Sequence, residues 1–331
     1  MLMLNPLRYF VEVARCGSIR GASERLHVAS SAISRHIMIF EEDAGAPLFE
    51  RHSRGMVVTA AGELYLRYAQ GVLSEGDNTQ LEIDALKGMR RGHVRIWSIE
   101  GMVAGPLFDS VFAFRSRFPK ITFNVVSTDT RSVMEAVRDS EADIGIAFQS
   151  SPVIGVKIAS RIPNPLHAIC TRRHEIAKRK SISLNQAAKF TMAIPDRSFG
   201  IRAVLDAAFH VHEIRADVAL ESNSVEGLRA FARSGSGLTI LPWLACKNDI
   251  LAGRVIAIPI EDAMLSASSV DICVREERVL PPAVSEFLKE VTTGAGFHPP
   301  EMNAAEKAGR RPAPVDKAGR RRSAAHGPHG K

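Results

Sequence analysis

The sequence predicts an α/β fold that carries, at its N-terminus, an all-α-type unit with a short two-stranded wing. Three observations predict it. Apolar residues in positions 4–62 recur at helical spacing, broken by cap and turn residues. A seam of period 3.5 follows between Tyr65 and Leu86. After Gly92, short β-branched runs alternate with amphipathic helical patterns, as in strands connected by helices.

Leu7, Phe10, Val11, Val13 and Ala14 give a first helix ending near Gly17. Ser18 is a good cap for a second helix, buried through Ile19, Ala22 and Leu26. His27-Val28-Ala29 makes a turn, and Ser30 or Ser31 can cap a third helix reaching Asp43, buried through Ile33, Ile37 and Phe40. Gly45-Ala46-Pro47 stops it. Leu48-Phe49 and Met56-Val57-Val58, joined through Arg51-His52-Ser53-Arg54-Gly55, read as the wing. The seam that follows (Tyr65, Ala69, Val72, Gly76, Thr79, Ile83, Leu86) steps by four and three, the spacing of a helix that pairs with a second copy. A helix packed on its own domain is the alternative. Gly76 and Thr79 weaken the seam, so other parts of the chain are expected to share in dimerisation.

Strands are predicted at Val94-Arg95-Ile96-Trp97, Ile121-Thr122-Phe123-Asn124-Val125-Val126, Ile144-Gly145-Ile146-Ala147-Phe148, Met192-Ala193-Ile194, Leu238-Thr239-Ile240-Leu241 and Val270-Asp271-Ile272-Cys273-Val274. Helical patterns lie between them at 107–118, 132–140, 201–209 and 224–234. Ligand sites in such sheets lie at the carboxyl ends of strands. From Pro299 onward Pro, Ala, Gly and basic residues dominate with almost no large apolar groups, and a disordered tail is expected.

Charge does not identify the function. The chain has a net charge of +7, but residues 298–331 hold eight basic and three acidic residues and supply most of it. The first 58 residues carry seven arginines against six acids. Placement therefore matters more than total charge. The tail could add nonspecific DNA affinity or be a passive extension. The four cysteines are scattered without a CxxC pair, as expected of small buried thiols in a reducing cytoplasm, with a disulfide redox switch as the alternative. No run reaches the length of a membrane span, and residues 1–10 lack the basic start and apolar core of a secretory signal, so a cytoplasmic protein is expected.

The third helix presents Ser30, Ser31, Ser34, Arg35 and His36, short polar and basic groups suited to base edges and phosphates in a major groove. Ser31 and Ser34 could instead only cap and solvate the helix. Arg51, His52 and Arg54 of the wing are expected along the backbone or in the minor groove.

These residues give the chain its resemblance to the LysR-type transcriptional regulators. The matching stretches include Leu7-Arg8-Tyr9-Phe10-Val11-Glu12-Val13-Ala14, Ala22-Ser23-Glu24-Arg25-Leu26-His27-Val28, Ser31-Ala32-Ile33-Ser34, Pro47-Leu48-Phe49-Glu50-Arg51 and Thr59-Ala60-Ala61-Gly62. Looser matches run through Glu141-Ala142-Asp143-Ile144-Gly145-Ile146-Ala147 and Gly237-Leu238-Thr239-Ile240-Leu241-Pro242. The resemblance implies a winged helix-turn-helix (1–60), a linker helix that dimerises (61–91) and a two-lobed effector domain like a periplasmic binding protein (92–297). Lobe I would be 92–160 plus 266–297, and lobe II 161–265; a disordered basic tail (298–331) would follow. The implied partners are promoter DNA, a small-molecule effector held between the lobes, and a second copy in a dimer or tetramer. RNA polymerase is a further one. No enzyme activity, cofactor or metal is implied. Family members usually carry Ser-Gln where this chain has Ala29-Ser30, and Ser is too short for the bidentate contact that Gln makes to adenine. Apolar positions within Phe40 and Ala44, commonly Leu in the family, are also altered.

For the effector, the end of the first sheet strand offers Ser98, Glu100, Gly101 and Met102. Glu100 is unexpected beside a helix start that favours anions. It could bind an amine-bearing ligand, pair with Arg202 across the cleft, or be a solvated surface group. Thr128, Thr130, Phe148, Ser198, Asn223 and Pro242 are the other strand-end and loop positions expected at the ligand. This mixture suits a small polar metabolite such as an amino acid or a carboxylate. Catalytic readings do poorly. His210-Val211-His212 has metal-like spacing without a Cys or carboxylate set. Gly235-Ser236-Gly237 is no dinucleotide fingerprint, and no GxSxG or P-loop occurs. A solute-binding protein, or an enzyme with an accessory DNA-binding domain, are the competing readings.

Overall fold

The computed structural model describes residues 5–52, 55–86, 92–294 and 296–297. Three helices open the chain: α1 (Asn5–Cys16), α2 (Ile19–Leu26) and α3 (Ser30–Ala44). Strands β1 (Phe49–His52) and β2 (Gly55–Val58) pair antiparallel as the wing, and α4 (Ala60–Leu86) leads away. Ser18 caps α2 through the Gly21 amide, and His27 ends it in the left-handed region at φ 54°. Ser23 Oγ donates to Val28 O at 2.7 Å and fixes the turn. The third helix starts one residue earlier than expected from a serine cap. Its N-cap is Ala29, whose methyl cannot accept a hydrogen bond, so Ser30 and Ser31 stand free on the first turn.

The core of this unit joins Phe10, Val13, Ala22, Ile33, Ile37, Leu48, Phe49 and Ala69. The Phe10 ring meets Phe49 at a tilt and Tyr65 edge-on, each at 4.9 Å between centroids. Tyr65 and Ala69 thus face their own domain, which corrects the expectation that the whole seam of α4 serves a second copy. Farther along, Thr79 and Ile83 are exposed, while the side chain of Leu86 lies outside the described residues. Gly62 is required where α4 crosses the wing: a Cβ there would stand 2.0 Å from Leu48 O.

The remaining chain forms two five-stranded sheets. Lobe I holds β3 (Gly92–Ser98), α5 (Glu100–Met102), α6 (Phe108–Arg117), β4 (Ile121–Ser127), α7 (Thr130–Arg138), β5 (Ile144–Phe148) and β6 (Val156–Pro163). Lobe II begins with β7 (Leu166–Cys170), α8 (Leu184–Ala187), β8 (Met192–Pro195) and α9 (Gly200–Val211). It continues with β9 (Val218–Ser222), α10 (Val225–Ser234), β10 (Leu238–Pro242), α11 (Trp243–Leu251), β11 (Ile256–Pro259) and α12 (Ala263–Ser266). The chain then returns to lobe I as β12 (Ser269–Arg275) and α13 (Pro282–Thr293).

The sheet orders are β4-β3-β5-β12-β6 and β11-β7-β10-β8-β9. In lobe I β3 runs parallel to β4 and β5, and β12 inserts antiparallel between β5 and β6. Because β6 pairs through Pro163, lobe I extends three residues past the expected boundary at 160. The two passages between lobes lie side by side, with Asn164 N donating to Ser268 O at 2.8 Å. The carboxyl ends of β3, β5, β8 and β10 border the space between the lobes, where ligand crevices form in such folds.

Lobe I also grips α4. Ser74 is 5% exposed, and its hydroxyl oxygen accepts from Arg95 Nη2 at 3.0 Å and Arg278 Nη2 at 2.7 Å. Both guanidinium groups reach Asp143 Oδ1, at 2.7 and 3.1 Å. Burial alone would raise the Asp143 carboxyl, but the Arg95 hydrogen bonds and the Arg278 charge hold it below the usual carboxylate range.

Candidate functional site

Two places gather the residues expected to act. The first is the outer face of α3. Ile33 and Ile37, one turn apart, are buried under it, which turns Ser30, Ser31 and Arg35 outward. Ser34 is half-buried. His36 is drawn inward: its Nδ1 lies 2.8 Å from Ala32 O and its ring meets Tyr9 edge-on at 5.5 Å. It therefore stands apart from the free face expected of it. On the wing, Arg51 and His52 are exposed, with His52 Nε2 3.2 Å from Glu50 Oε2. Arg54 lies outside the described residues, as does the basic tail. The face is held rigidly, since Glu41 Oε1 near the end of α3 accepts from the Leu48 and Phe49 amides at 2.9 and 3.2 Å. An outward helix of short polar groups with one free arginine can enter a groove, and a neighbouring β wing can follow the backbone.

The second place is the cleft between the lobes, a cavity of about 280 Å³. Glu100, Gly101 and Met102 line it from α5, Thr128 from just past the end of β4 and Thr130 from the start of α7. Phe148, Ser198, Asn223 and Pro242 complete the expected set. Two expected residues are elsewhere. Ser98 is fully buried, its Oγ donating to Ile99 O at 3.0 Å, because it shares the inward face of β3 with Val94 and Ile96. Arg202 is held within lobe II by Asp206 (2.7 Å), Glu221 (3.0 Å) and Pro195 O (2.9 Å), so it does not pair with Glu100. Glu100 instead crosses the cleft to the start of α10: Oε1 accepts from Val225 N at 3.0 Å. Burial raises this carboxyl above its usual range despite the opposing hydrogen bonds from Val225, Glu226 and Ser224.

Not every lining hydroxyl is free. Thr130 Oγ1 accepts from Phe148 N at 3.1 Å, and Ser198 Oγ donates to Asp196 at 2.5 Å. The lobes close on glycine at both sides. A Cβ on Gly101 would sit 3.4 Å from Ala245 Cβ, and one on Gly200 3.0 Å from the Phe148 ring. Sequence reasoning missed Ile99, Ser127, Asp129, Phe199, Gly200, Ile201, Val225 and Ala245 in the lining. Asp129 lies between Thr128 and Thr130, which strand-end position had singled out. It caps α7 through the Ser132 amide at 3.0 Å; burial opposes its charge, but the Ser132 amide and hydroxyl hold its carboxyl below the usual range.

Comparison with known proteins decides between the readings. Residues 4–63 match the model of the bacterial regulatory helix-turn-helix proteins of the lysR family, and residues 87–296 match the LysR substrate binding domain. The chain belongs to the LysR family. As a LysR regulator it is a DNA-binding transcriptional regulator with an effector-binding domain, not an enzyme. It is 28% identical over 253 residues to the nitrogen assimilation regulatory protein nac of Escherichia coli, across 75% of this chain and 80% of that one. It is 24% identical to the transcriptional activator CmpR of Synechocystis, across 78% and 84%. Its fold is shared with full-length OxyR from Pseudomonas aeruginosa (TM-score 0.70, 20% identity, 90% of this chain and 97% of that one). It is also shared with CbnR in complex with its target DNA (TM-score 0.58, 20% identity, 89% and 100%). Among the described residues no group of His, Cys, Asp and Glu could hold a metal ion, and no helix is long and apolar enough to cross a membrane. His212, half of the metal-like pair, lies 2.7 Å from Asp262 instead.

Proposed function

We propose that a small molecule held between the lobes controls how this regulator sits on promoter DNA. The observation that carries the reading is a continuous mechanical path. The cleft is lined from lobe I by residues at the ends of β3, β4 and β5, and the same lobe grips α4 through Ser74, Arg95 and Arg278. The other end of α4 is built into the DNA-reading unit through Tyr65 and Ala69. A ligand that binds one lobe arrangement better than another shifts the population toward it, and the shift reaches the reading helix through α4.

Self-association belongs to the same proposal. Leu64, Tyr68 and Ile83 of α4 are 63%, 58% and 42% exposed, apolar surface that a second copy would cover. Paired reading helices match two half-sites on one face of the duplex, as dimeric or tetrameric regulators require. Contact with RNA polymerase and a cytoplasmic location complete the reading.

The test is a thermal-shift screen of metabolites on the full chain, repeated on Ser127→Trp, which fills the cleft from an exposed position. Stabilising compounds should lose their effect in the variant and should change the affinity or bend of operator DNA in the parent. Compounds that stabilise both proteins equally would place control outside the cleft.

A further inference from the structure

The chemistry of the cleft points to a class of effector, and this step rests on the reading of the cleft as the effector site. Among the described residues no Lys, Arg or His lines the cavity. Two carboxylates do, Glu100 and Asp129, both from lobe I. The remaining wall is mostly apolar, with Met102, Phe148, Phe199, Ile201 and Val225 prominent.

The places where an anion would be expected are already taken. The start of α10, whose unpaired amides suit a carboxylate, holds Glu100 through the Val225 amide. The start of α7 holds Asp129. At α9 the cap residue Phe199 offers no side-chain partner, so that helix start keeps a partial positive charge of about half a unit, set against the two carboxyl groups of the lining. The sum favours a cation. Arg131, Arg138 and Arg197 line an adjoining groove that shares Asp129, Phe148, Phe199 and Gly200 with the cleft; there Arg131 is paired with Glu135 and also feels the Asp129 charge, and Arg138 is paired with Asp139.

We infer that the cleft selects a small primary amine on an apolar body, its ammonium directed to Glu100 and Asp129, and rejects the matching carboxylate. Glu100 then acts as a tethered anion that holds the lobes together and also receives the ligand. Burial disfavours the charged form of Glu100, and an ammonium beside it would offset that cost. The volume, near the lower end of small-molecule sites, limits the body to a short chain or one ring system. Of the two metabolites weighed from sequence, a simple carboxylate is thereby disfavoured.

The experiment is calorimetric titration of the full chain with matched pairs on shared skeletons: n-alkyl, benzyl, phenethyl and indolylethyl amines against the carboxylates of equal length. At least one amine should bind, its carboxylate partner roughly tenfold or more weaker. Glu100→Gln and Asp129→Asn should each narrow that ratio, and Ser127→Trp and Asn223→Trp, both at exposed positions, should abolish binding. A carboxylate that binds as well as its amine and is blocked by the tryptophan variants would overturn the amine assignment and leave the cleft reading standing. Ligands untouched by those variants would overturn the cleft reading itself, and silence from every amine would overturn the assignment.

Discussion

Ser74, midway along the linker helix, accepts a hydrogen bond from Arg278 of the effector domain at 2.7 Å, across 204 residues of sequence. The same oxygen accepts from Arg95, so one serine ties α4 to two separate segments of lobe I. Ser74→Ala leaves two guanidinium groups short of an acceptor in a buried place. About 1–2 kcal/mol of stability should be lost, because an unmet buried donor costs more than a bond gains. Amide hydrogen exchange should quicken in the middle of α4 while the winged unit keeps its protection. Unchanged exchange there would show that the joint does not hold the helix.

Asp143 gives the same joint a pH signature. Its folded value is depressed, so it stabilises the protein above the unfolded value near 4 and loses that contribution as pH falls through the folded one. Asp143→Asn should cost about 3 kcal/mol at neutral pH, the loss expected on removing one partner of a buried pair. The gap from the parent should close as pH falls below the unfolded carboxylate value and through the lower folded one. Urea denaturation across that range measures it, and a gap independent of pH would contradict the assignment.

Arg35 is the exposed cation of the reading helix. Arg35→Ala should weaken binding to a promoter fragment roughly tenfold at 0.1 M salt and lower the salt slope by about 0.9 for each phosphate that the arginine neutralises. Fluorescence anisotropy at several salt concentrations reads both. Unchanged affinity and slope would put Arg35 off the interface.

Gly62 tests the packing that aims the wing. A Cβ there would stand 2.0 Å from Leu48 O and 2.7 Å from Val58 Cγ1, and backbone cannot yield as a flexible side chain can. Gly62→Ala should cost about 2–3 kcal/mol by denaturant unfolding and broaden the unit's transition. A neutral result would mean that α4 can slide away from the wing.

Much of this was legible in the chain because local signals agreed with the fold. The turn before it, the Gly45 stop and the i,i+4 burial of Ile33 and Ile37 foretold the reading helix, though not its Ala29 cap, and long apolar runs foretold the buried strands. Weak signals failed where tertiary context supplied the order. Ile256-Ala257-Ile258-Pro259 is short and ends in proline, and β9 is an exposed edge, so neither stood out. Ser98 could have been placed correctly, since alternation from Val94 and Ile96 sends it inward. The partner of Glu100 could not, because only the closed lobes bring it to a helix start 125 residues away. Half of the α4 seam looked intermolecular because a helix pairing with a domain of its own chain shows the same spacing.

The two passages between the lobes, bound side by side through Asn164 and Ser268, have a mechanical consequence. A single strand of chain is a swivel, free to twist. Two joined strands form a flat strap that bends about one axis and resists torsion. On the control proposed for a ligand between the lobes, such a strap favours opening about one axis over twisting, and would turn the bulk of that ligand into an angle at α4.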